Sequence, residues 1–259
     1  MAIIKAEGAV IRSMKMGETS KLVTLYTAER GLLKLVAKGS RSAKSRFGAA
    51  LEPLTISRVV YYEKEGRELQ FLSQADIIET FPQIQADLEK WGYASACCEI
   101  ILRTHSDSEV KPHLYPIFVE TLRAMDGGRE TLACFWSFQM KLLGILGIAP
   151  TLKTCFRCGS PELAISRENY VTYRMEVQHG GFLCENCGDR DHLLELSGEA
   201  WRLLGDFQAL PATSLLRHKI SPIACKEIEN FFRAYFAYHL QEIGKLASLK
   251  FVREIKHGA

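Results

Sequence analysis

The chain has 259 residues, 47% of them hydrophobic and 24% charged, with a net charge of +3 at pH 7. That length and balance describe a globular protein with room for two domains and exclude a disordered one. No apolar run reaches the length of a membrane span, and the start Met1-Ala2-Ile3-Ile4-Lys5 lacks the charged region and long apolar stretch of a secretory signal, so a cytoplasmic location is expected.

The first 80 residues read as strands. Val10–Met14, Leu22–Thr27 and Leu32–Ala37 are short aliphatic or β-branched segments, divided by Gly17-Glu18 and Arg30-Gly31. A loop over 38–48, rich in Gly, Ser and Ala, follows. Leu54–Tyr62 then alternates, Glu65-Gly66 turns the chain, and Leu69–Ile78 completes the set. Five strands with no helical period among them predict a small closed barrel of the OB type, with an SH3-like barrel as competitor.

Phe81-Pro82 marks the change to helical periodicity and the expected start of a helical domain over 81–259. One amphipathic helix carries Leu88, Trp91, Ile100 and Ile101. A second spans Leu114–Met125, and a third spans Leu132–Leu146 with Phe135, Phe138, Leu142 and Leu143 on one face. After an insertion at about 150–190, helices resume near Ser197. Ser221-Pro222 supplies an N-cap and a proline at the first position of a long final helix, which is expected to bury residues as far as Leu240 and Ile243.

The insertion holds two CxxC pairs, Cys155-Phe156-Arg157-Cys158 and Cys184-Glu185-Asn186-Cys187, each followed by glycine and separated by 25 residues. Each turn can present two sulfurs to one ion, so the four cysteines predict one structural Zn2+ per chain. A redox dithiol or disulfide pair is the alternative. Four thiolates leave no position for an activated water, which points away from a metallohydrolase. Cys97, Cys98, Cys134 and Cys225 lie in helical apolar patterns and read as reduced core residues.

Charge is unevenly placed. Residues 1–80 hold 13 Lys/Arg against 9 Asp/Glu, and Arg30, Lys34, Lys38, Arg41, Lys44 and Arg46 follow one another with no acidic residue between them. Such a stripe attracts a polyanion, of which nucleic acid is the common kind; a solvated loop is the plainer reading. The run Gly39-Ser40-Arg41-Ser42-Ala43-Lys44-Ser45 lacks the glycine that precedes the lysine of a P-loop. HExxH, GxSxG and H-x-E signatures are absent, and Asp76 is the only aspartate among residues 1–80. No enzyme is expected. Tyr26, Phe47, Tyr61 and Tyr62 are candidates for stacking on bases, although Tyr26 reads as core, and Tyr61 and Tyr62 must point to opposite faces.

The run Gly17-Glu18-Thr19-Ser20-Lys21-Leu22-Val23-Thr24-Leu25-Tyr26-Thr27, then Arg30-Gly31-Leu32, Ala37–Arg46 and Leu51-Glu52-Pro53-Leu54, resembles the N-terminal signature of the RecO recombination mediators. Leu142–Pro150 leading into the first CxxCG, Gly180-Gly181-Phe182-Leu183-Cys184 and Ser248-Leu249-Lys250-Phe251 extend the resemblance in order along the chain. The resemblance implies an N-terminal OB fold, a helical C-terminal domain and a zinc-bearing insertion. It also implies binding to single- and double-stranded DNA, strand annealing, and help in loading recombinase onto strands coated by single-strand binding protein. Implied partners are RecR and the C-terminal tail of single-strand binding protein. Within this frame Lys34, Lys38, Arg41, Lys44 and Arg46 are the expected DNA-binding residues. An RNA-binding or transcription-associated zinc protein would share the barrel and the four-cysteine site.

Overall fold

The computed structural model describes residues 2–42, 45–105, 110–167, 170–188 and 193–257. They form two compact units, Met1–Asp126 with Leu246–Ala259, and Gly127–Lys245.

In the first unit β1 (Ala2–Met16), β2 (Ser20–Thr27), β3 (Gly31–Ala37), β4 (Ile56–Glu63) and β5 (Leu69–Glu79) close into a barrel in the order β1-β2-β3-β5-β4. The closing pair, β3 with β5, is parallel, matching Lys34 to Leu69, Leu35 to Gln70 and Val36 to Phe71. β1 is far longer than the expected Val10–Met14, because one strand serves two neighbours. Its first half pairs with β4, Ala2 to Glu63 through Ala9 to Ile56, and its second half pairs with β2. Gly8 sits at the corner, where an added Cβ would lie 2.4 Å from the Tyr26 carbonyl. The register slips between Val10 and Arg12. There Val10 N donates to Thr55 O and Val10 O accepts from Leu54 N, both at 2.8 Å. Leu54, expected in a strand, instead takes a left-handed φ of 62°, held by its buried side chain. Val23, Leu25, Leu35, Val59 and Tyr61 fill the barrel with no exposed surface, and Phe47 and Leu51 plug it from the loop before β4.

α1 (Pro82–Ala86), α2 (Leu88–Thr104) and α3 (Leu114–Asp126) follow, and the short α1 has no counterpart in the sequence reading. Asp87 caps α2 by accepting from Glu89 N and Lys90 N at 2.8 and 3.1 Å. Asp126, at the far end of α3, accepts from Gln83 N and Ile84 N and so supplies α1 with its missing partners. Tyr26 links barrel to helices: its ring meets Tyr115 and Phe118 edge-on, and its hydroxyl lies 3.2 Å from His105 Nε2. The chain returns to this unit as α7 (Ala247–His257), which lies on α2, with Ala247 N and Ser248 N donating to Glu99.

In the second unit α4 (Thr131–Ile145) is buried continuously from Ala133 to Met140, on all sides and not on one face. A helix apolar all round belongs inside its unit. Around it lie α5 (Gly198–Ala209), capped by Ser197, and α6 (Pro222–His239), capped by Ser221. α6 ends at His239, short of the expected Leu240 and Ile243, and Phe236 is only half-buried. Ile243 is buried from a separate single turn. A small sheet of β6 (Ile165–Arg167), β7 (Tyr170–Glu176), β8 (Gly181–Leu183) and β9 (Leu194–Ser197) completes the unit, with β6, β8 and β9 all paired to β7. Among the described residues no helix is long and apolar enough to cross a membrane.

Candidate functional site

On the outer face of the barrel, the β1–β2 turn, β3, and the β4–β5 turn running into β5 border an open groove of about 640 Å³. Lys38, Arg67 and Phe71 line it with Val36 and Leu69. The Lys38 ammonium stands 4.6 Å from the centre of the Phe71 ring, a cation over an aromatic face. Neither Phe71 nor Arg67 stands out in the sequence. The available signal was the adjacent pair Phe71-Leu72 on an alternating strand, which must send one side chain outward; Leu72 is the buried one.

The five expected cations have different surroundings. Lys34, on β3, forms an ion pair with Glu68. Arg41 donates to the carbonyls of Gly17 and Glu18 at 3.0 and 2.9 Å, while its own amide donates to Thr19 O at 3.0 Å. Its guanidinium therefore clamps the β1–β2 turn against the basic turn. Arg46 is exposed, 5.3 Å from the Phe47 ring centre. Lys38 and Arg46 have no carboxylate partner among the described residues, and neither has Arg67. Lys44 lies outside the described residues.

Of the candidate aromatics, Tyr26, Phe47 and Tyr61 are buried in the barrel or beneath its helices and cannot meet a base. Tyr62 is exposed, and the register pairs it with Phe71 on one side and Ile3 on the other.

The four cysteines of the insertion converge. Their sulfurs all lie within 4.8 Å of one another, and Cys158 Sγ is 3.6 Å from Cys184 Sγ. Zinc–sulfur bonds of about 2.3 Å place tetrahedral sulfurs about 3.8 Å apart, so the donor set fits one zinc ion. No disulfide joins them. The site is built from two turns held together by backbone pairing: Thr151 N donates to Gly180 O, and Phe156 N to Phe182 O. The two trailing glycines serve different ends. Gly159 has φ 76°, while a Cβ on Gly188 would crowd Cys184 O at 3.1 Å. Burial opposes ionisation of Cys155, but backbone hydrogen bonds at Cys184, Cys158 and Arg157 outweigh it and hold the thiol down to about 6. Thiol hydrogen bonds to Cys184 and Cys158 push Cys187 up to about 12. Four sulfurs this close accept one negative charge readily and resist more until a cation neutralises them.

Of the other cysteines, Cys97, Cys98 and Cys134 are buried, whereas Cys225 is half-exposed on the first turn of α6, with its thiol 3.7 Å from Ile220 O. The core reading holds for three of the four; Cys225 lies at the edge of the buried stripe of α6 formed by Ala224, Ile228, Phe231, Phe232 and Tyr235.

Two family models cover nearly the whole chain: Recombination protein O N terminal matches residues 1–81, and Recombination protein O C terminal matches residues 85–250. The chain belongs to the RecO family. It is 30% identical to the DNA repair protein RecO of Thermoanaerobacter sp. over 248 residues, 93% of this chain and 94% of the relative. It is 31% identical to the DNA repair protein RecO of Exiguobacterium sibiricum over 234 residues, 90% of each. The DNA repair protein RecO of Listeria monocytogenes is 29% identical over 256 residues, 97% of this chain. In this RecO chain the N-terminal match ends where the barrel gives way to helices, and the C-terminal match contains all four clustered cysteines.

Proposed function

We infer that this RecO-family protein is a recombination mediator of DNA repair. It binds single- and double-stranded DNA, anneals complementary strands, and assists recombinase loading onto strands coated by single-strand binding protein. The observation that carries the reading is the groove lined by Lys38, Arg67 and Phe71 between the β1–β2 and β4–β5 turns. In OB folds those two loops flank the oligonucleotide-binding face, and the barrel order β1-β2-β3-β5-β4 supports that type.

The chemistry needs no nucleotide hydrolysis. Lys38 and Arg46, supported by Lys34, Arg41 and Lys44, neutralise phosphates and so lower the repulsion between two strands held on one protein. Contacts to the backbone carry no sequence information, which suits a protein that must anneal any pair of complementary strands. Arg41 contributes mainly by holding the two turns in place, since its guanidinium already serves the carbonyls of Gly17 and Glu18. Cys155, Cys158, Cys184 and Cys187 hold zinc. The ion, when bound, supplies folding free energy to the insertion and no catalytic position. The protein acts in the cytoplasm at the nucleoid. RecR and the C-terminal tail of single-strand binding protein are its partners, and grooves between helices are the kind of surface such a tail would use.

The test is annealing of complementary strands already covered by single-strand binding protein, without ATP. Annealing that depends on Lys38 and Arg46 is expected. Failure to anneal, or binding that favours RNA over DNA of equal length, would overturn the reading.

A further inference from the structure

The strand register lines up a row of apolar side chains on the outside of the barrel. Val36 of β3 pairs with Phe71 of β5, Phe71 with Tyr62 of β4, and Tyr62 with Ile3 of β1. Directly paired residues share a face of the sheet, and the neighbours Tyr61 and Leu72 point into the core. Tyr62 is 38% exposed and Ile3 66%. An outward face of a small barrel is expected to be polar, so two adjacent aromatics there mark an interaction surface.

Charge on this face indicates what covers it. The carboxylate that lines the groove, Glu68, is already paired with Lys34. The cations bordering the row, Lys38 over the Phe71 ring and Arg67 in the same groove, keep their charge uncompensated among the described residues. Flat apolar rings beside uncompensated cations match a ligand with flat apolar faces and regularly spaced negative charge.

We propose that Phe71 and Tyr62 form a two-ring platform on which unpaired bases of a single strand stack, with Lys38 and Arg67 taking the flanking phosphates. Neighbouring strands lie about 4.8 Å apart, so the two rings stand close enough to receive bases from one short stretch of chain. When a strand binds, the Lys38 ammonium exchanges the weak attraction of the Phe71 ring for a phosphate and uncovers the ring face. Duplex DNA has its bases stacked on one another and must unstack them, at a cost of a few kcal/mol per base, to use the rings. The platform therefore discriminates single strands from duplex, while Arg46 and the basic turn serve both. Stacking is open to every base, so the preference is for unpaired structure and not for sequence.

The proposal rests on the reading that the barrel binds nucleic acid, and the experiment separates the two. Wild type, Phe71→Leu, Tyr62→Leu and the double variant are titrated with oligothymidylate, with an abasic strand of equal length, and with a duplex. Leucine retains apolar bulk, and thermal melting confirms that each variant is folded. Each substitution is expected to weaken oligothymidylate binding about 5- to 100-fold. Duplex and abasic binding should stay within about twofold of wild type. Variants that bind oligothymidylate as wild type does would refute the platform and leave the nucleic-acid reading standing. Equal losses on all three ligands would refute it as well. A wild type that binds none of the three would remove the underlying reading. Dimers of the wild type that the double variant converts to monomers would assign the row to a second copy of the chain instead.

Discussion

Removing Lys38 and Arg46 together should change the salt dependence of DNA binding, and removing Lys34 and Arg41 should change it far less. The first pair carries no carboxylate or carbonyl partner among the described residues, whereas Lys34 is bound to Glu68 and Arg41 to two backbone carbonyls. Each phosphate contact contributes about 0.7 to the slope of log K against log salt for a single strand. Two lost contacts therefore flatten the slope by about 1.4, and between 50 and 200 mM salt the variant should lose about sevenfold less affinity than wild type. The assay is fluorescence anisotropy of a labelled oligonucleotide at four or more salt concentrations, for wild type, Lys38→Ala/Arg46→Ala and Lys34→Ala/Arg41→Ala. The second pair should leave the slope within about 0.5 of wild type while costing up to about 1 kcal/mol of stability, as the Gly17 and Glu18 carbonyls return to water. Arg233, exposed on α6 and bonded to Asn230, serves as a control outside the barrel. An unchanged slope in the first variant, with flattening in the second or in Arg233→Ala, would refute the assignment of free and engaged cations.

Protein purified without chelator should contain about one zinc per chain by elemental analysis. Cys158→Ser should lose it, with amide exchange rising over residues 150–188 and staying slow in the barrel strands; metal-free protein with unchanged protection would contradict this. Gly8→Ala should destabilise the first unit by about 1–3 kcal/mol in a denaturant titration, because its Cβ would meet the Tyr26 carbonyl at 2.4 Å. Native protein should show Cys225 as the most reactive thiol outside the metal site, with Cys97, Cys98 and Cys134 modified only after unfolding. Alkaline pH should destabilise the fold. Burial pushes Cys134 from 9.0 up to about 12, and Tyr115 and Tyr235 from 10.0 up to about 12. The unfolded chain ionises these groups first, so their contribution is full below about pH 9 and falls as pH rises toward 12. A melting temperature that is flat from pH 8 to 11 would count against it.

Local pattern made most of the elements legible. Alternation with glycine turns marked the barrel strands, and the caps Ser197 and Ser221 fixed the starts of two helices, because each side chain serves an amide three residues on. Three features escaped for identifiable reasons. The first half of β1 shows no alternation strong enough to read, since the inward Ile4 and Ala6 are only half-buried and the outward Ile3 is as apolar as they are. α1 holds five residues, too few for a helical period. Among the described side chains of α7 only Val252 is fully buried, flanked by half-buried Ser248, Leu249 and Ile255, and the helix draws its stability from α2 and the Glu99 carboxylate and not from its own composition.

The two sites divide in the same way. Spacing within the sequence was enough to bring the four cysteines together, because each CxxC turn fixes its own pair of sulfurs and one hairpin, β7 to β8, leads into the second pair. The basic stripe was equally plain as composition. What composition could not decide was which cations remain free, since Lys34 finds Glu68 across 34 residues and Arg41 finds Gly17 and Glu18 across two dozen. Nor could it reveal Phe71 beside Lys38, or Phe71, Tyr62 and Ile3 in one row. Those depend on the register with which β3, β5, β4 and β1 pair around the barrel, and register is set by long-range packing of the inward faces.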